Sequence, residues 1–153
     1  SVNAKKIAML ATFGSAAMLL GAFGFQYLGE MPPCKLCIWQ RWPHGIAIAI
    51  GLLAIVLLNR WLYLLGGAAV LFGAGVAFYH TGVEQHWWQG PTTCTSQGIG
   101  GLSAEDLMAQ IMNAPLVRCD EIPWSMFGLS MAAWNGIVSL GLLGLWLAAF
   151  RKR

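Results

Sequence analysis

Four long apolar runs decide what this chain can fold into. Ile7–Leu28 and Trp61–Tyr79 contain no charge, Gly45–Leu58 is wholly apolar, and Trp124–Phe150 carries only isolated polar residues. A helix needs roughly 20 residues to cross about 30 Å of hydrocarbon. With 58% hydrophobic and 10% charged residues among 153, the chain is no ordinary water-soluble globule. The expected fold class is an all-α membrane protein, a four-transmembrane-helix bundle forming one domain over 1–153. The bilayer is its first partner, and no nucleic acid is expected.

Gly45–Leu58 is too short to span, so the second helix should begin upstream, near Cys37. The expected spans are about 7–28, 37–58, 61–79 and 124–150, with loops 29–40 and 80–123 on one side. Arg41 then sits at the membrane edge. Pro43 falls inside a helix, where its lost hydrogen bond should kink the first turns. Lys5-Lys6 before an apolar run also fits a secretory signal, but the length of that run and the three further spans favour an anchor.

The span ends fix an orientation, because short loops rich in Lys and Arg stay cytoplasmic. Lys5, Lys6, Arg60, Arg151, Lys152 and Arg153 fall on one side, giving +6. All six acids fall on the other with Lys35, Arg41 and Arg118, giving −3 and the formal total of +3. Both termini are thus expected in the cytoplasm, with every cysteine outside.

Trp39, Trp42, Trp87, Trp88, Trp124, Tyr27 and Tyr79 near outer span ends, and Trp61, Tyr63 and Trp146 near inner ends, read as an aromatic belt. Ala17 with Gly21, and Ala69 with Gly73, have the four-residue spacing that lets helices pack closely. In the long outer loop, Ser103-Ala-Glu-Asp106 opens a short helix that Pro115 stops. Leu107, Met108, Ile111 and Met112 share one face of it, opposite Asp106, Gln110 and Asn113, so the helix should lie in the membrane interface.

Of the four cysteines, Cys34 and Cys37 form a Cys-X-X-Cys motif at the outer mouth of the second span, while Cys94 and Cys119 flank the interfacial segment. Static disulfides, a four-cysteine zinc site and redox exchange are the competing readings. Zinc motifs usually repeat the close spacing, which Cys94 and Cys119 do not. A Cys-X-X-Cys bridge closes too small a ring to stabilise much through chain entropy, and such pairs are more often reactive. No metal is therefore expected. The helix start at Cys37 and the Arg41 guanidinium, one turn on, should favour a Cys37 thiolate. His80 closes the third span on the same side and could donate to a ring carbonyl lodged between helices. A thiol at the hydrocarbon edge needs an acceptor there, and a lipid-soluble quinone is one.

Pro-Cys34-Lys-Leu-Cys37-Ile-Trp-Gln-Arg41, Tyr-His80-Thr and the Cys94 and Cys119 pair, in this order, resemble the disulfide bond formation protein B (DsbB) family over nearly the whole chain. The resemblance implies a multi-pass protein of the bacterial inner membrane that reoxidises a periplasmic thioredoxin-like, DsbA-like oxidase and reduces ubiquinone or menaquinone. It implies that Cys94 accepts the partner's thiolate with Cys119 as loop mate, that Cys34 exchanges with that pair, and that Cys37 meets the quinone, lined by Arg41 and His80. Some relatives carry a carboxylate just before the arginine; Gln40 stands here instead. A vitamin K epoxide reductase-like enzyme would place its loop pair before the Cys-X-X-Cys, the reverse order. A non-enzymatic membrane protein with structural disulfides is the remaining alternative.

Overall fold

The structure, a computed structural model, describes residues 2–90, 103–112 and 118–152. Five helices occur among them: α1 (Val2–Tyr27), α2 (Lys35–Leu57), α3 (Trp61–Glu84), α4 (Ala104–Met112) and α5 (Met131–Lys152). All but α4 are long and apolar enough to cross a membrane. Each spanning helix packs chiefly on two neighbours, in the cyclic order α1, α2, α3, α5. The result is an all-α four-helix membrane bundle.

Helix ends depart from the apolar runs where a charge or a turn misleads the hydropathy count. Helix α1 begins at Val2, ahead of Lys5 and Lys6, and α3 continues past Tyr79 to Glu84. A charged side chain ends an apolar count without ending a helix. The last span starts at Met131 rather than Trp124, because Ser125–Met126 (β1) and Leu129–Ser130 (β2) form a small antiparallel hairpin. Its two-residue turn needs positive φ at both positions, met by Phe127 at 54° and Gly128 at 77°. Ser130 then starts α5 by accepting the Ala133 N–H at 3.2 Å. Helix α2 runs on through Pro43, whose ring lies against Gly73 of α3; a Cβ on Gly73 would come within 2.9 Å of it.

One core cluster joins the start of α1 (Ala4, Ala8, Ala11), the end of α2 (Ala47, Ala54), the first half of α3 (Tyr63, Val70) and the end of α5 (Leu142, Trp146, Ala149). This is the basic end of the bundle. Tyr63 and Trp146 are buried here rather than standing in a belt, with ring centroids 6.3 Å apart. Gly66 makes room, since a Cβ there would meet the Trp146 ring at 2.7 Å. Trp61, Trp39, Trp42, Trp87 and Trp88 are exposed, as a belt requires.

Helix α4 is capped by Ser103, whose Oγ accepts the Asp106 N–H at 3.1 Å. Met108, Ile111 and Met112 are exposed on it. The Gln110 side chain, Asn113 and Pro115 lie outside the described residues.

Candidate functional site: a dithiol at the mouth of an apolar cavity

Pro32-Pro33 cannot enter a helix interior, so the chain arrives extended and Cys34 becomes the N-cap of α2, with φ −79° and ψ 174°. Its sulfur accepts the Cys37 N–H at 3.4 Å and lies 3.3 Å from the Cys37 sulfur, and both are free thiols. The hydrogen bond with Cys37 and the backbone N–H groups of Cys37 and Leu36 hold the Cys34 thiol below the ordinary thiol range, against burial, which raises it. The helix start thus favours a thiolate on Cys34, not on Cys37 as expected from the sequence. The physical reason is register: α2 begins at Lys35, so the exposed N–H groups point back at residue 34.

Cys119 is fully buried and disulfide-bonded. It packs in one cluster with Cys34, Leu36, Val83 and Cys37, at the opposite end of the bundle from the basic core. Cys94 lies outside the described residues. His80 ties these groups together: its Nε2 is 3.1 Å from the Cys119 carbonyl oxygen and 3.6 Å from Cys34 Sγ. One turn on, Glu84 is buried with Oε2 3.9 Å from that nitrogen, while Oε1 accepts the Ser130 hydroxyl at 2.7 Å.

Arg41 donates to Gln26 Oε1 at 2.7 Å and stacks over Phe23 at 4.9 Å, both on α1. Cys37, Arg41 and His80 all line one cavity of about 340 Å³ between α1, α2, α3 and α5. Ala17 and Gly21 belong to its wall, so this small-residue pair opens space rather than closing a helix contact. The lining is mostly apolar with a few convergent polar groups, which suits a flat, apolar ring bearing carbonyl oxygens. Such a ring would meet Arg41 and His80 beside Cys37.

Four further polar residues, Gln40, His44, Glu84 and Asn135, line the cavity and were not singled out from the sequence. The signal was present: Gln40 with His44, and His80 with Glu84, recur at four-residue spacing within spans, and polar residues there are functional by default. A four-cysteine metal site is not formed, since the Cys119 sulfur is committed to a disulfide. Cys34 Sγ, Cys37 Sγ and a His80 ring nitrogen do lie within 4.8 Å of one another, a spacing that a soft cation could use.

A reduced Cys-X-X-Cys at a membrane cavity, with an oxidised third cysteine packed on it, has a counterpart among known proteins. The family described as Disulfide bond formation protein DsbB matches residues 4–149. The chain belongs to the DsbB family. It is 30% identical to Disulfide bond formation protein B of Methylococcus capsulatus, covering 92% of this chain and 90% of that protein. Identity is also 30% to the protein of the same name from Dechloromonas aromatica, over 95% and 93% of the two chains. An uncharacterised Rickettsia prowazekii protein is 27% identical over 84% and 77%. Family membership makes this a multi-pass membrane oxidoreductase of disulfide bond formation.

Proposed function

We propose that the protein oxidises the dithiol of a periplasmic thioredoxin-like oxidase of the DsbA type and passes the electrons to a membrane quinone, ubiquinone or menaquinone. In the first step a partner thiolate attacks Cys94 of a Cys94–Cys119 disulfide, and Cys119 leaves as thiolate. The partner's second thiol then resolves the mixed disulfide, leaving the partner oxidised and the loop pair reduced. The loop dithiol next exchanges with a Cys34–Cys37 disulfide, which becomes the dithiol. Finally Cys34 and Cys37 rejoin as a disulfide, giving up two electrons and two protons, which a quinone in the cavity accepts.

One observation carries this reading: Cys37, Arg41 and His80 line the same apolar cavity, while Cys34 packs against the disulfide-bonded Cys119. A reduced Cys34–Cys37 pair beside an oxidised loop cysteine is the state left by the internal exchange, ready to reduce a quinone. The orientation that fits is a bacterial inner-membrane one, with both termini cytoplasmic and the cysteines periplasmic. The +6 against −3 asymmetry supports it, as does the separation of the basic-end core from the cysteine cluster.

The test is turnover: purified protein, reduced partner and a soluble quinone analogue, with quinone absorbance followed in time. Absorbance should fall only when both partner and all four cysteines are present. Continued quinone loss in a Cys94→Ala protein, or none in the parent, would refute the proposal.

A further inference from the structure

Gln40 has no part in the relay above, yet its contacts are closely specified. Its Nε2 lies 3.1 Å from the Leu36 carbonyl oxygen and 2.7 Å from His80 Nδ1, and its Oε1 accepts the Asn135 Nδ2–H at 2.8 Å. A backbone carbonyl can only accept, so the amide must turn its NH2 group toward Leu36. The other N–H of that group then points at His80 Nδ1, which must be the bare nitrogen. Across the ring, Nε2 faces the Cys119 carbonyl, again an acceptor only. Nε2 must therefore carry the proton. Two carbonyls on different segments select one tautomer independently.

The amide is also held from behind. Asn135 Oδ1 lies 2.8 Å from His44 Nε2, and His44 Nδ1 lies 3.1 Å from Ser15 Oγ, so the chain of hydrogen bonds runs from α3 through α2 and α5 to α1. Turning Gln40 over would set its oxygen against the Leu36 carbonyl and its NH2 against the Asn135 NH2. Each mismatch in this buried network leaves a polar group unpaired.

We propose that Gln40 is a positioning residue that locks His80 in its Nε2–H form, and that this N–H is the latch holding Cys119 against the Cys34–Cys37 pair. His80 so fixed has no lone pair facing the sulfurs. It neither takes a proton from Cys34 nor binds a soft cation through Nε2. It acts instead as a neutral donor, to the Cys119 carbonyl and toward the Cys34 sulfur 3.6 Å away. The value of the latch for loop exchange rests on the relay proposed above; the tautomer does not.

The experiment is nitrogen-15 NMR of the full-length protein in nanodiscs with labelled histidine, using His80→Gln to assign His80 among the three histidines. The parent should give a protonated Nε2 and an unprotonated Nδ1. Gln40→Glu, at a pH where its carboxylate is ionised and can only accept, should move the proton to Nδ1. It should also slow single-turnover exchange between the loop pair and Cys34 by about tenfold or more, because Nε2 then faces the carbonyl unpaired. A parent His80 protonated on Nδ1 would overturn the proposal, and this spectrum is decisive even where the variant fails to fold. Unchanged His80 signals in a folded Gln40→Glu protein would overturn it too. The expected tautomers without loop exchange in the parent would count against the relay, not against the lock.

Discussion

At Cys34 burial and hydrogen bonding pull in opposite directions. Burial favours the neutral thiol, while the hydrogen bond with Cys37 and two backbone N–H groups favour the thiolate, and the net direction is downward. A lowered pKa means more thiolate at a given pH, so alkylation of Cys34 should reach half its limiting rate below the pH needed by an ordinary thiol near 8.5. Cys37→Ala removes the largest of these stabilising contacts and should shift that midpoint upward, by about 1.4 kcal/mol per pH unit. Mass-resolved alkylation rates across pH check this; an unshifted midpoint in Cys37→Ala would mean that the helix terminus alone sets the thiol. The sequence located this dithiol but misassigned its reactive end. Cys-X-X-Cys spacing does not say which cysteine is the cap, because that depends on where Pro32-Pro33 release the chain into helix.

Among the elements, fit at the helix contacts is decided by glycines that look alike in sequence. Gly66 faces the Trp146 ring, whereas Gly75, on the same helix, has nothing within 4 Å of an added Cβ. Gly66→Leu should therefore cost about 1–3 kcal/mol by overpacking and lower the thermal unfolding midpoint in detergent. Gly75→Leu should stay within about 0.5 kcal/mol of the parent. Equal losses would mean that Trp146 moves aside without cost. Hydropathy revealed the spanning helices because the bilayer demands length and apolarity of each one separately. It could not place Trp146 and Tyr63 inside, since burial in the bundle depends on which face meets a neighbour. Nor could it separate the hairpin at Ser125–Ser130 from the helix that follows, as both are apolar.

Across the whole molecule, the two ends of the bundle hold different chemistry. The basic end is a dry core around Trp146, whose indole N–H finds no partner among the described residues. The other end gathers the thiols, His80, Glu84 and the cavity. That gathering was legible only in part. Cys34, Cys37, Arg41 and His80 announce themselves by type and position, but Asn135 reaches Gln40 across 95 residues of sequence, and no local pattern foretells such a contact. The central claim is a one-way path: loop pair to Cys34–Cys37 to quinone, with no shortcut. Stoichiometry in a single anaerobic turnover tests it most directly, because each disulfide formed yields two electrons, enough for one quinone. Fully reduced protein, freed of reductant and mixed with excess quinone analogue, should reduce two quinones per chain. With both loop cysteines replaced by Ala it should reduce one, and with Cys34 and Cys37 replaced it should reduce none. Quinone reduction by the protein that keeps only Cys94 and Cys119 would contradict the account.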